Sequence, residues 1–313
     1  MKIYHGFADP TLKKAGRSIA IGIFDGVHRG HRLILQKALR ASKALHVRSM
    51  VVTFHPHPQT VLSGTKASTK ILMSLDHRIR LFSEMGIQET LVVVFDKKFA
   101  AISHEDFLNK RLIEKLGMRA LSVGHDFRFG RFAKGDRHYL SKEAAARGFK
   151  LLLTKEFHYR GQAVSSTRIR YLIERGDLIR ARELLGRPVS LHGTVVRGHG
   201  RGRSIGFPTA NLDPHHETLP PAGVYAALGV IVKSGDKRTK ISLPSVVHIG
   251  ERPTFNEKEK TVEVHFLDFK GNLYGKEIEM SFLSRIRGIR HFTSKEHLSR
   301  QIATDILTAK KFL

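Results

Sequence analysis

Five short apolar runs, separated by helical patterns, fill the first half of the chain: residues 18–23, 48–54, 91–95, 120–124 and 150–153. Helical patterns cover residues 33–39, 75–85 closed by Gly86, 103–116 closed by Gly117, and 139–147. Ser103 is a good N-cap for the third of these, with Asp106 at the capping-box position. Strands that are apolar throughout, rather than alternating, are buried on both faces, which predicts an α/β fold with a parallel doubly wound sheet. Such sheets bind ligands beyond the carboxyl ends of their strands. The loops holding Phe24, His55-Pro56-His57-Pro58 and His125-Asp126-Phe127 fall at such ends.

The first of these loops is the most informative. Phe24-Asp25-Gly26-Val27-His28-Arg29-Gly30-His31 joins the first apolar run to a helical pattern. A strand, a glycine turn and a helix start present unpaired N–H groups and a positive helix end to an anion. His28 and His31 share one face of the helix start, and both can donate to phosphoryl oxygens. No Lys-Ser/Thr pair follows the glycines, which excludes a Walker A loop, and no Gly-x-Gly-x-x-Gly is present at this turn, which excludes the dinucleotide fingerprint. Further on, Val164-Ser165-Ser166-Thr167-Arg168-Ile169-Arg170 opens another helical pattern. Its hydroxyls either bind phosphate or simply cap the helix, and Arg168 is placed to neutralise developing negative charge.

Helical patterns at 166–175 and 177–185 end at Gly186 and Pro188, and the character of the chain then changes. Short β-like runs at 192–197, 223–232, 245–249, 261–268 and 276–282 are separated by Pro220-Pro221, Gly235-Asp236 and Gly271-Asn272. This pattern predicts a small antiparallel barrel, followed by a helix over 292–310. The boundary falls near 186–190, giving domains 1–186 and 187–313. Two segments of the second domain carry chemistry. Gly198-His199-Gly200-Arg201-Gly202-Arg203-Ser204-Ile205-Gly206-Phe207-Pro208-Thr209-Ala210-Asn211 is glycine-rich and basic, and Glu263 lies on an apolar strand.

Composition narrows the function classes. The chain has 313 residues and no cysteine, which excludes a disulfide framework and any thiolate metal site, and fits a reducing compartment. The start lacks a signal-peptide core and no apolar run is long enough to span a membrane, so a cytoplasmic protein is expected. The formal charge of +26 points to polyanions or phosphorylated small molecules. The basic residues are spread along the whole chain, and no RNA-recognition signature accompanies them, so no specific nucleic-acid partner is expected. His55-Pro56-His57 and His215-His216 lack the further ligands of a zinc site.

Taken together and in order, the motifs at His28-x-x-His31, Ser165-Ser166-Thr167-x-Ile169-Arg170, Gly206-Phe207-Pro208-Thr209-Ala210-Asn211 and the Glu263 strand resemble those of the bacterial bifunctional riboflavin kinase/FMN adenylyltransferases, the prokaryotic FAD synthetases. The resemblance covers nearly the whole chain. It implies a nucleotidylyltransferase-like N-terminal domain and a six-stranded riboflavin-kinase-like barrel with a C-terminal helix. The second domain would move the γ-phosphate of ATP to riboflavin, giving FMN. The first would join FMN to AMP from a second ATP, giving FAD and pyrophosphate.

The resemblance also distributes roles. In the adenylyltransferase, Gly22, Phe24, Asp25, Gly26, His28, His31, Asp126, Ser165, Ser166, Thr167 and Arg168 would bind ATP. Of these, His28, His31 and Arg168 would do the charge work of catalysis. Phe54, Phe127 and Phe129 would hold the flavin ring, with core packing as the equal alternative for each. In the kinase, Gly200, Arg203, Gly206, Phe207, Pro208, Thr209 and Asn211 would bind ATP, and Thr209 and Asn211 would hold Mg²⁺ through hard oxygen atoms. Glu263 would contact the flavin and act as general base, against the alternative of an exposed strand residue. The chain departs from the family at His248, where Asn is usual, and at Arg287-Gly288-Ile289-Arg290, where Arg-Pro-Glu and a basic residue are usual. On sequence alone, a chain with one active domain and a basic nucleic-acid-binding protein on this scaffold remain alternatives.

Overall fold

The computed structural model describes residues 1–62, 70–197, 206–215, 217–232, 242–253, 258–269 and 271–313. They form two compact units, one of residues 1–70 and 75–166, the other of 71–74 and 167–313. The division expected at 186/187 differs from this one by residues 71–74 and 167–186, which group with the second unit. Residues 71–74 join that unit through hydrogen bonds. Thr218 donates both its N–H and its hydroxyl to the Ile71 carbonyl, at 2.8 and 2.7 Å, and Glu217 accepts from the Ser74 N–H at 2.7 Å.

The first unit holds strands β1 (Lys2–His5), β2 (Arg17–Ile21), β3 (Arg48–His55), β4 (Glu89–Val94), β5 (Met118–Gly124) and β6 (Lys150–Thr154), and a two-stranded ribbon of β7 (His158–Tyr159) and β8 (Gln162–Ala163). Its helices are α1 (Arg29–Ala44), α2 (Pro58–Leu62), α3 (Leu75–Glu84), α4 (Lys97–Ala100), α5 (His104–Asp106) and α6 (Arg137–Arg147). After α5 the chain continues over Phe107–Lys115 as a wider helix, and Leu116 N–H then bonds back five residues to Arg111. The six main strands are all parallel, in the order β1-β4-β3-β2-β5-β6. Every residue of β2 and the six central residues of β3 are buried, as uninterrupted apolar runs require.

Strand β1 has no counterpart among the expected strands. Only Tyr4 of its four residues is buried, so it offers no apolar run, and it enters the sheet by pairing along β4 from Lys2↔Glu89 to His5↔Val92. From β2 the chain steps outward to β3 and β4, then returns to place β5 on the other flank of β2. That reversal makes the carboxyl ends of β2 and β5 the topological switch point of the sheet. Helix α1 leaves this point and buries Ile34, Leu35, Ala38 and Ala41.

The amino ends of the strands are tied by one carboxylate. Glu89 accepts from Arg17 Nε at 2.7 Å, from Arg48 Nη1 at 2.8 Å and from the Tyr4 hydroxyl at 3.1 Å. Arg17 is fully buried, and its remaining donors reach the carbonyls of Leu116 and Lys13. Burial pushes the Glu89 carboxyl up, but the hydrogen bonds from Arg17 and Arg48 outweigh it and hold the group below its ordinary value.

The second unit adds helices α7 (Ser166–Glu174; its first residue belongs to the first unit), α8 (Leu178–Leu185) and α9 (Lys295–Ala309). Its strands are β9 (Ser190–Val196), β10 (Ala210–Asp213), β11 (Gly223–Val232), β12 (Ser242–Pro253), β13 (Lys258–Phe266) and β14 (Glu277–Arg287). They close as an antiparallel barrel in the order β10-β13-β12-β11-β14-β9. The sequence pattern marked five of these strands. The sixth, β10, lies inside the segment read as a ligand motif. Tyr225, Val247 and Val264 occupy one cross-strand row and are buried, while the adjacent row begins Val224↔His248↔Glu263. Val224, Ala226 and Val246 pack with Ala309 and Ile306 of α9. Arg287 of β14 grips Asp305 of α9 with both its Nε and Nη2, at 2.7 to 3.0 Å.

Replacing Glu89 with Ala strands the buried Arg17 cation, and a loss of about 3–5 kcal/mol in urea unfolding is expected. Because the folded carboxyl sits below its unfolded value, its contribution is complete above the usual carboxylate range of about 4.3 and is lost as pH falls through the lowered folded value. The gap between parent and variant therefore narrows on strong acidification.

Candidate active sites

In the first unit the loop after β2 is tightly built. Phe24, Gly26 and Val27 all adopt positive φ, at 54°, 84° and 40°. Gly26 does so freely, whereas Phe24 and Val27 are strained there and must be held by their surroundings. Phe24 is fully buried, meets Phe82 of α3 edge-on at 5.7 Å and meets His31 edge-on at 5.4 Å. Gly22 lies against the same ring, where a Cβ would come within 3.0 Å. Arg78 of α3, itself buried, donates to the Ile23 carbonyl and to Thr53 Oγ1 of β3, which fastens the loop to the sheet.

His28 is the N-cap of α1. Its Nδ1 accepts from the His31 N–H at 3.3 Å, so the neutral ring keeps its proton on Nε2. The two imidazoles stack, with centroids 3.6 Å apart and planes 18° apart. The pair therefore stands at the positive end of a 16-residue helix, at the switch point of the sheet. The Ser166 hydroxyl donates to the Asp25 carbonyl at 2.8 Å, which brings the serine motif onto the same loop. Ser165 is exposed beside it, and Thr167 and Arg168 follow in α7, within the second unit. Just after the neighbouring strand β5, Asp126 folds back over Gly124, where a Cβ would lie 2.8 Å from Asp126 Oδ1. His55, ending β3, is held below the ordinary imidazole value by burial and by Arg78, against the pull of Asp76.

Phe54 and Phe129 belong to the core of this unit, and Phe127 packs half-buried against it. Phe127 and Phe129 stack at 5.4 Å, and Phe54 meets Phe95 and Phe99. A groove of 720 Å³ lined by Gly16, Lys43, His46, Arg48 and Gln88 lies at the amino ends of the strands, away from these residues.

In the barrel, one cross-strand row assembles the second set. Asn211 of β10 pairs with Glu263 of β13, and Glu263 pairs with His248 of β12. Directly paired residues project to the same side of a sheet with Cβ atoms about 5 Å apart. Thr209 is half-buried just ahead of β10, Phe207 is half-buried, and Gly206 and Pro208 are exposed. Gly200 and Arg203 lie outside the described residues, as does His216. Burial holds His248 below its ordinary value; Glu263 pulls it up, Arg287 down and Asp305 up.

A helix N-terminus at the switch point of a parallel sheet, beside a closed antiparallel barrel, fits a two-unit, nucleotide-using transferase. The FAD synthetase family model matches residues 11–168 and the riboflavin kinase family model matches residues 185–313. The chain is 38% identical over 313 residues to the bifunctional riboflavin kinase/FMN adenylyltransferase of Escherichia coli (strain K12), covering 100% of this chain and 98% of that one. Its identity to the enzyme of the same name from Bacillus subtilis (strain 168) is 32% over 297 residues, covering 94% and 91%. A solved structure described as a macrolide-efflux protein from Streptococcus pneumoniae superposes with a TM-score of 0.84 at 26% identity, over 100% of both chains. The efflux description stays with that protein; among the described residues here, no helix is long and apolar enough to cross a membrane. The chain belongs to the bifunctional riboflavin kinase/FMN adenylyltransferase family: it phosphorylates riboflavin to FMN and adenylylates FMN to FAD, with ATP as co-substrate.

Two residues that shape these sites escaped the sequence reading. Arg78 reads as a surface cation, and its only signal is helical spacing with the buried Leu81 and Phe82. Asp305 lies in a polar stretch of α9 and gives no signal of its grip on Arg287. That grip ties the end of β14 to α9.

The lowered value of the half-buried His248 has a testable consequence. Its folded value is lowered, so below about pH 6.5 the unfolded chain takes up a proton that the folded chain resists. Stability therefore rises with pH through that range. In thermal melts of the full chain, His248→Asn should show a shallower rise between pH 5 and 7.5 than the parent.

Proposed function

We propose that the adenylylation step is carried by the loop after β2 together with the start of α7. The nucleophile is the FMN phosphate, already an anion, so the protein needs no strong base. A phosphate oxygen of FMN attacks the α-phosphorus of ATP, the bond from that phosphorus to the bridging oxygen breaks, and pyrophosphate departs with the electron pair. His28 and His31, at the positive end of α1, donate to phosphate oxygens, and Arg168 neutralises the departing charge. Ser165, Ser166 and Thr167 hold the phosphates. Gly22, Phe24, Asp25 and Gly26 form the closely packed floor, and Asp126 takes the ribose or adenine edge. The aromatic wall of Phe54, Phe127 and Phe129 borders the flavin ring, with Phe127 the most accessible of the three.

The kinase step is assigned to the row Asn211–Glu263 and the segment before it. Glu263 accepts the proton of the ribityl hydroxyl as its oxygen attacks the γ-phosphorus, and ADP leaves. Gly200, Arg203, Gly206, Phe207 and Pro208 enclose the ATP phosphates. The Thr209 hydroxyl and the Asn211 side-chain oxygen are neutral hard donors, both half-buried and one of them paired in register with Glu263, a set that fits Mg²⁺. When bound, Mg²⁺ neutralises charge on the phosphate oxygens. The single observation that supports this reading best is the register: Asn211 and Glu263, 52 positions apart in sequence, are direct cross-strand partners. The functional halves are taken as 1–186 and 187–313, and the protein acts in the cytoplasm on small molecules, without a specific nucleic-acid partner.

Chromatographic time courses with riboflavin, ATP and magnesium test both assignments. In His31→Ala, FMN should accumulate while FAD formation falls about 10²–10³-fold. In Glu263→Ala, FMN formation should fall about 10²–10⁴-fold while supplied FMN still becomes FAD. Equal loss of both activities in either variant would refute the assignment to separate sites.

A further inference from the structure

Glu263 and His265 stand two residues apart on β13 and therefore share a face of the barrel. The backbone pairing of β13 with β10 begins at Ala210↔Val264 and runs away from the segment that holds Phe207, Pro208 and Thr209. At that point His265 takes over from the backbone. Its Nδ1 lies 2.8 Å from the Pro208 carbonyl oxygen. A carbonyl only accepts, so Nδ1 carries the proton and the neutral ring is the Nδ1–H tautomer. The same ring meets Phe207 edge-on, with centroids 5.8 Å apart and planes 80° apart. Pro208 has no N–H to offer a neighbouring strand, so its carbonyl is the one backbone group by which that residue can be held.

We propose that His265 is a positioning residue of the kinase site: its Nδ1–H latches the Pro208 carbonyl, and its ring braces Phe207, so that Thr209 and Asn211 are set for the nucleotide. The inference rests on reading Thr209 and Asn211 as nucleotide-side ligands. The latch acts on the ATP side of the reaction, and Glu263, on the same face of the same strand, acts on the flavin side.

The geometry makes the test selective. An Asn side chain places an amide nitrogen where Nδ1 stands, one bond beyond Cγ, whereas Gln places it where Nε2 stands. In the full-length enzyme, His265→Ala and His265→Gln should raise the kinase KM for ATP about five- to tenfold, the effect of losing one hydrogen bond. His265→Asn should stay within about twofold, since that one bond is retained. The KM for riboflavin and the rate of FMN adenylylation should not change in any of them. In the unliganded protein, ¹⁵N imidazole NMR should show His265 as the Nδ1–H tautomer. Equal behaviour of the Asn and Gln variants, a shift in the riboflavin KM in place of the ATP KM, or an Nε2–H tautomer would overturn the proposal. Thr209→Ala is run in parallel. If it leaves ATP use unchanged, the site reading fails and takes the latch with it. If it cripples ATP use while His265→Ala matches the parent, the latch alone is rejected.

Discussion

Glu89 sits where three strands of the parallel sheet begin, and its contacts with Arg17 and Arg48 fix the amino ends of β2 and β3, and that with Tyr4 fixes β1, relative to β4. A parallel sheet has no hairpins to set the alignment of its neighbours, so alignment must come from side-chain packing and from contacts such as these. With this anchor at the amino ends, the carboxyl ends carry the loops of the candidate site. There the chain accommodates two strained non-glycine residues, Phe24 and Val27, and a pair of stacked imidazoles. Rigidity at one end of the sheet supports a demanding geometry at the other.

The barrel solves the same problem differently. Its strands are antiparallel, so register alone brings Asn211, Glu263 and His248 side by side. Around that row, fixed partners replace the long-range packing of the first unit: Asp305 holds Arg287, and His265 holds Pro208. Burial favours the uncharged ring of His248 beside Glu263. The proposed base thus has a neutral polar cross-strand neighbour.

Much of this was legible in the sequence, and what was not has physical causes. The five apolar runs of the first unit become five strands, four of them largely buried and the last, β6, half-buried at the sheet edge. Strand β1 was hidden, since one buried residue in four makes no pattern. Strand β10 was hidden because Ala210–Asp213 is short and joins the barrel through backbone pairing rather than through an apolar face. The motif residues were visible as types in order. Their convergence was visible only in part: Ser166 reaches Asp25, and Asn211 meets Glu263, through contacts that no local spacing encodes. Asp305 was invisible, and Arg78 was marked only by its helical spacing, because a buried charge differs from a surface one chiefly by its partners.

The excursion of residues 71–74 into the second unit means that the chain passes between the two units three times, at 70/71, 74/75 and 166/167. Topologically the units are interleaved rather than strung in tandem. No single scission of the backbone yields two complete pieces. A fragment beginning at 187 leaves Thr218 and Glu217 without Ile71 and Ser74, and without α7 and α8. Gene dissection at the apparent seam would therefore test an amputated kinase, and a faithful separation would require grafting four residues from the first half onto the second.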